Sequence, residues 1–375
     1  MQKKFLPDHW QVNIEGVSVW SYFRFNHNDL PMSKYKPNYK FSLQDFIFFF
    51  KFIFLRGSNV NSVYFIAARN ELLSVVEQND SRTRSNSLVF LREDGHGIKG
   101  NVLFLEAFRY LFRKLAPFIF KSKYNLVKQQ LINLQLGSEK FESNIQASVG
   151  DYYFNRFILF FLKGKTIYFS NCVIPKIERT QALHQSIELQ HGVIHEEHPD
   201  YANLENNIFN VPLMCWGAFW KDKILKAGFI GSLVVGPIPK AEIKGSDEIG
   251  VFTTIDPKVS SFIMEALEGL TLSSVFIQPH PRDPFIYDLS SLSHVKLRGG
   301  MSPVDCLVPI MNDSTLIYFC VCNAKWFIYV SNPDEKNDEI KERLFNKYGA
   351  VFNAHYQIAK NTEELLNYIN LIKHR

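Results

Sequence analysis

The chain has 375 residues, 46% of them hydrophobic and 21% charged, which is enough apolar material for one large or two medium globular domains and argues against disorder. Its 42 basic and 37 acidic residues leave a formal charge of +5, a balance too mild and too scattered for nucleic acid as the main partner. The five cysteines, Cys172, Cys215, Cys306, Cys320 and Cys322, form no CxxC or zinc-ribbon spacing, so neither a disulfide framework nor a structural metal is expected and a reducing cytoplasm fits best.

The basic start, Met1-Gln2-Lys3-Lys4, has none of the apolar region or small-residue cleavage site of an export signal. Phe46 to Leu55 is aromatic and aliphatic but shorter than the ~20 residues that span a bilayer, and Lys51 interrupts it, so it is not expected to cross one. Val60 to Ala67 and Leu88 to Leu91 are strand candidates. The second runs into Arg92-Glu93-Asp94-Gly95-His96-Gly97, which puts two carboxylates and an imidazole at a strand's carboxyl tip. Glu93, Asp94 or His96 there suits removal of a proton from an acceptor hydroxyl; an ordinary Asp-Gly turn is the alternative. Further on, Phe108, Tyr110, Phe112, Phe118 and Phe120 alternate with Arg109, Arg113, Lys114, Lys121 and Lys123. That mixture reads either as a packed core with snorkelling basic residues or as an interfacial surface drawn to anionic lipid.

From Lys165 onward, short apolar runs alternate with helical patterns. Strands are expected at Thr166 to Phe169, Ile187 to Gln190, Val211 to Trp216 and Ser232 to Val235, with helices at Lys176 to Ile187 and Ala218 to Ala227. A loop rich in Pro, Gly and charge follows and marks a linker over 236–248. Beyond it, strands are expected at Ile249 to Thr253, Val275 to Gln278, Leu316 to Cys320 and Trp326 to Val330. Helices are expected at Lys258 to Leu267, Val304 to Met311, Lys336 to Lys347 and Thr362 to Lys373. The alternation predicts an α/β chain of two Rossmann-like domains, 1–235 and 249–375, facing across a cleft, the first with helical, aromatic-rich insertions. Ligands are then expected at the carboxyl ends of the strands.

Three further segments carry candidate chemistry. In Glu188-Leu189-Gln190-His191-Gly192, a strand ends in Gln190 and His191, and Gly192 lets the backbone approach a ligand. His195, Glu196, Glu197 and His198 follow; exposed loop histidines or a metal site are the readings, and the glycine and strand context favour no metal. In Gln278-Pro279-His280-Pro281-Arg282-Asp283, His280 and Arg282 suit a phosphate leaving group; a surface loop held by pairing of Arg282 with Asp283 is the alternative. Gly299-Gly300-Met301-Ser302-Pro303 reads as a glycine turn, a serine N-cap and a proline at the first helical position, an end that presents N–H groups to phosphate. There is no Asp-x-Asp, P-loop, GxGxxG or GxSxG, which leaves a kinase, dehydrogenase or serine hydrolase without a motif.

The Gln190-His191-Gly192 run, the Trp216-Gly217-Ala218-Phe219-Trp220-Lys221 segment and His280-Pro281, with the early Val19-Trp20-Ser21-Tyr22-Phe23-Arg24, together resemble bacterial capsule and O-antigen glycosyltransferases. Glu93-Asp94-Gly95 with His280-Pro281 is also similar to motifs of bacterial sialyltransferases, polysialyltransferases and some Kdo transferases, although His96 stands where an extended segment follows in those families. The resemblance implies the GT-B architecture, a C-terminal nucleotide-donor domain and an N-terminal acceptor-side domain. It implies Glu93 or Asp94 as base, His280 on the donor phosphate and Ser302 at a donor-binding helix; from the strand-end segments themselves, His191 is a further catalytic candidate, Arg282, Gln190 and Gly192 are expected around the donor, and His96 and His195 toward the acceptor or the cleft. Expected partners are a nucleotide-sugar donor, leaning to CMP, and a glycan or lipid-linked acceptor at the inner face of the cell membrane, with no nucleic acid, no cofactor and no metal. The alternatives are a nucleotide-sugar epimerase, a polyol-phosphate transferase or a noncatalytic polysaccharide assembly protein.

Overall fold

A computed structural model describes residues 12–15, 17–18, 42–92, 99–134, 141–170, 186–192, 194, 211–226, 229, 231–239, 245–253, 256–270, 273–280, 283, 285–299, 301–314, 316–348 and 356–373. Among these, β1 (Asn13–Ile14) and β2 (Val17–Ser18) form a small antiparallel pair. Every other strand belongs to one of two six-stranded, wholly parallel sheets.

The first sheet contains β3 (Ser62–Ala67), β4 (Ser87–Arg92), β5 (Thr166–Phe169), β6 (Ser186–Leu189), β7 (Leu213–Trp216) and β8 (Leu233–Gly236), in the order β4-β3-β5-β6-β7-β8. All six residues of β3 are buried, as expected for a central parallel strand covered on both faces. Rings stack across its register: Tyr64 lies 4.6 Å from Tyr168 and Phe65 lies 4.9 Å from Phe90, centroid to centroid. The edge strand β4 is closed off by Asn101, whose Oδ1 accepts from Leu91 N–H at 2.7 Å and whose Nδ2 donates to the Val89 carbonyl at 3.1 Å. A side-chain amide thus replaces the missing neighbour on that edge.

Around this sheet lie α1 (Leu43–Ile53) and α2 (Asn70–Thr83). Between β4 and β5, three consecutive helices, α3 (Leu103–Ile119), α4 (Lys121–Asn133) and α5 (Phe141–Phe161), form an insertion. Ser42 and Asp45 make a reciprocal capping box at the start of α1, and the buried Asp45 also accepts from Leu103 N–H at 3.4 Å. One carboxylate therefore serves two helix starts. The first and third of these helices are clamped together by Asp151 of α5, which receives both Arg109, at 2.6 and 2.8 Å, and Arg113, at 2.6 and 2.7 Å, from α3.

The second sheet contains β9 (Ile249–Phe252), β10 (Val275–Gln278), β11 (Val295–Leu297), β12 (Val308–Met311), β13 (Phe327–Val330) and β14 (Tyr356–Ala359), ordered β11-β10-β9-β12-β13-β14. It is flanked by α7 (Pro257–Glu268), α8 (Leu316–Cys322), α9 (Asn337–Tyr348) and α10 (Thr362–Lys373), while α6 (Gly217–Lys226) follows β7 in the first half. The entry to α7 is fixed by Asp256, which accepts from Lys258 N–H at 3.0 Å, and by Pro257 at the first helical position. The last strand of the first sheet ends at Gly236 and the first of the second begins at Ile249.

Two elements differ from the sequence expectation. Val304 to Met311 is not a helix: residues 303–305 turn, closed by Asp305 N–H donating to the Ser302 carbonyl at 3.1 Å, and Val308–Met311 is a central strand. Only four residues separate Pro303 from Val308, and Val308 and Ile310 are needed in the sheet between β9 and β13, so the capping pattern at Ser302 stops at a single turn. Conversely, Leu316 to Cys320, expected as a strand, is the start of α8. A short, wholly apolar run has no periodicity to tell strand from helix; here Asn323 N–H donates back to Phe319 O at 3.0 Å, and burial on all sides hides any amphipathic stripe. Of the expected helix from Lys176 to Ile187, Ser186 and Ile187 are in β6 and 176–185 lie outside the described residues.

The halves meet through aromatic rings. Tyr318 of α8 stacks on Trp216 with centroids 5.8 Å apart and 13° between planes, and meets Trp220 edge-on at 5.2 Å. Its hydroxyl donates to the Trp216 carbonyl at 3.3 Å. One cluster of buried apolar residues runs through this contact from the first sheet to the second.

Candidate functional site

In parallel α/β sheets, ligands bind beyond the carboxyl ends of the strands, where neighbouring connections leave on opposite faces. Numbered within its half, the second sheet has the order 3-2-1-4-5-6, the order of dinucleotide-binding sheets, with its switch between β9 and β12. The first half reads 2-1-3-4-5-6, the flavodoxin-like order extended by a strand, with its switch between β3 and β5.

At the second switch point, the buried Thr253 directly follows β9. Its Oγ1 accepts the backbone N–H of His280 at 2.9 Å and donates to Asp283 Oδ2 at 2.6 Å. Asp283 also receives the Tyr287 hydroxyl at 2.6 Å and Phe285 N–H at 2.9 Å. Burial, reinforced by the Asp283 carboxylate, pushes the Tyr287 phenol up, so it stays a proton donor to that carboxylate. Asp283 N–H in turn donates to His280 O at 2.8 Å. The segment after β10 is therefore pinned at both ends of the His280–Asp283 turn, with the partly exposed His280 at the sheet's carboxyl edge. Arg282 lies outside the described residues.

Gln278, the last residue of β10, accepts Met301 N–H on its Oε1 at 2.8 Å, which brings the segment leading to Ser302 to the same edge. Ser302 is buried; its carbonyl accepts Asp305 N–H and the Cys306 thiol, the latter at 3.5 Å. Across the switch, Asn312 follows β12 and donates to Val330 O at 2.5 Å, while Asp313 lies 3.1 Å from Lys347 and 3.6 Å from Arg343.

At the first switch point, Ser170 follows β5 with no exposed surface, and its Oγ accepts Ala67 N–H at 3.3 Å, bridging the ends of β5 and β3. The chain leaves β4 at Arg92 and is back against Leu91 at Asn101, whose N–H donates to Leu91 O at 2.9 Å. Glu93, Asp94 and His96 fall between, outside the described residues, as does His195. Next to β5, β6 is followed by Gln190, whose fully buried carboxamide donates to Gly192 O at 2.9 Å and accepts Trp216 N–H at 2.9 Å. Gln190 thus shapes the turn that carries the partly exposed His191 and Gly192.

The described site is rich in backbone donors, hydroxyls and imidazole. Burial pushes the thiols of Cys215 and Cys306 up to about 12, so both stay protonated near neutral pH and neither is a ready nucleophile. Thr253 and Ser170 were not foreseen from the sequence: a small hydroxyl directly after a strand is a common turn residue, and only the strand order sets these positions apart. Asp283 was expected only as a partner of Arg282 in a surface loop, not as the acceptor of Thr253 and Tyr287. Among the described residues, no helix is long and apolar enough to cross a membrane. In comparison with known proteins, no family model and no curated sequence matches this chain.

Proposed function

We propose that this chain is a glycosyltransferase of the two-domain GT-B type that moves a sugar from a nucleotide-activated donor, leaning to a CMP-sugar, to a growing or lipid-linked surface polysaccharide. The observation that carries the reading is the second sheet's strand order 3-2-1-4-5-6, with His280 tied to Thr253 beside the switch point. In this reading the donor phosphate meets His280 and Arg282, with the Gly299–Ser302 segment alongside. The acceptor hydroxyl comes from the first half, where Glu93, Asp94 or His191 takes its proton. The acceptor oxygen attacks the anomeric carbon, the bond from that carbon to the phosphate oxygen breaks, and the electron pair leaves with the nucleotide. Neither a resident cofactor nor a metal is part of this reading.

A thermal-shift panel of the purified chain with CMP, CDP, UDP, GDP and dTDP tests it. A ligand that binds only the folded state at a concentration of about 100 Kd stabilises by about 2.7 kcal/mol. The expected result is a rise of the unfolding midpoint with CMP. A rise with UDP or GDP instead redirects the donor to a hexose, and no rise with any of them contradicts the reading.

A further inference from the structure

Two helices of the first half turn an unusual face to solvent. On α1, Phe46, Ile47 and Phe50 are exposed beside Lys51. This helix packs on the first turns of α3, where Phe49 lies 5.5 Å from Phe104 and 5.1 Å from Phe108. Phe104 and Phe108 begin a stripe that continues at i+3 and i+4 spacing through Leu111 to Phe118, past the part that α1 covers. Leu111 is 48% exposed and Phe118 78% exposed, so the apolar stripe outlasts its cover. An amphipathic helix packed on a core normally turns its polar side outward; these two turn out rings.

Among the described residues of α1, α3 and their flanks, the exposed charges are all of one sign. Lys51 and Arg56 flank the exposed rings of α1, with the Arg56 guanidinium 5.0 Å over the Phe160 ring, and Lys114 and Lys121 flank those of α3. The acids of these two helices are engaged elsewhere: Asp45 is buried in its two caps, and Glu106 lies 3.2 Å from Arg92. No exposed residue of α1 or α3 is acidic.

We propose that this face is a membrane-contact surface that inserts its rings at the interface of an anionic lipid bilayer while its lysines and Arg56 meet the headgroup phosphates. Charge complementarity selects this occupant over a second copy of the chain. A two-fold interface would set the same patch against itself, bringing like charges together with no exposed acid on α1 or α3 to pair them. The surface lies on helices outside both switch points and needs no assumption about the transfer reaction.

The test is flotation of the full chain with vesicles of phosphatidylcholine alone or of equimolar phosphatidylcholine and phosphatidylglycerol. The expected result is binding to the anionic vesicles only. At about fivefold per basic group near the surface, the triple variant Lys51→Glu, Lys114→Glu, Lys121→Glu binds about 100-fold more weakly with an unchanged unfolding midpoint. A second variant, Ile47→Ser with Phe118→Ser, retains weak, salt-sensitive binding but loses the part that survives high salt. Equal binding to both vesicles, binding by the triple variant equal to the unaltered chain, or no binding to either overturns the proposal. Self-association in sedimentation that Phe118→Ser abolishes, without vesicle binding, assigns the face to a second copy instead. Loss of nucleotide response in the thermal-shift panel leaves this result untouched, so the two readings fail separately.

Discussion

His280 is held by Thr253: the histidine's backbone N–H donates to Oγ1 of the threonine at 2.9 Å, and the same hydroxyl donates to Asp283 at 2.6 Å. A residue at the end of the sheet's central strand thereby fixes the turn that presents the imidazole. Thr253→Val keeps the shape and removes both bonds, leaving a half-buried carboxylate oxygen of Asp283 and the His280 N–H each one partner short. The expected cost is about 1–3 kcal/mol in urea unfolding, together with weaker nucleotide binding by calorimetry. Thr253→Ser restores both. Nucleotide affinity unchanged in Thr253→Val would separate this turn from the donor site.

Gln190 ties two strand ends to one turn. Its carboxamide joins Gly192 O and Trp216 N–H at 2.9 Å each, with no exposed surface. Gln190→Leu leaves both backbone groups without that partner, and a loss of about 1–3 kcal/mol in urea unfolding is expected. A loss of activity in excess of that destabilisation is also expected, because the turn carries His191. A variant as stable as the parent chain would show that water replaces the amide.

Much of the framework was legible where burial imposes a simple pattern. Thr166 to Phe169, Val275 to Gln278 and Thr362 to Lys373 stand in the structure with the same bounds as their periodicity predicted. The exchange of strand and helix at 304–311 and 316–322 arose because both runs are buried and apolar. The caps at Ser302 and Pro303 pointed to a helix that the sheet's need for Val308 overrode. Val295–Leu297 and Tyr356–Ala359 are edge strands of three and four residues with mixed exposure, too short for an alternation to emerge. At the candidate site, His280 was legible as a polar residue just beyond an apolar strand. The bridging bonds of Thr253 and Ser170 were not, because they depend on strand order, which no local pattern encodes.

Asp151 offers a pH test of the helical insertion. Burial alone would raise its carboxyl, but the guanidiniums of Arg109 and Arg113 outweigh that and hold it well below the usual carboxylate range. Its folded pKa is depressed, so the stabilisation is complete above the unfolded value of about 3.9 and is lost as pH falls below that value toward the folded one. Asp151→Asn is expected to cost about 3–5 kcal/mol at neutral pH, since it leaves two guanidiniums without their counter-charge. Urea unfolding followed from neutral pH down to below the unfolded value of about 3.9 should show a shallower acid dependence for the variant than for the parent chain. Parallel acid profiles would assign the acid sensitivity to other carboxylates.

Transfer itself is read out by release of the nucleotide from an activated sugar, followed by chromatography with and without a glycan acceptor. The parent chain is compared with Glu93→Gln, Asp94→Asn and His280→Ala. Acceptor-dependent nucleotide release is expected from the parent chain. A carboxylate variant should lose turnover by about 100-fold or more while still binding the nucleotide, and His280→Ala should lose affinity and rate together. Nucleotide binding with no release from any activated sugar, or release unchanged in all three variants, would contradict the proposed transfer.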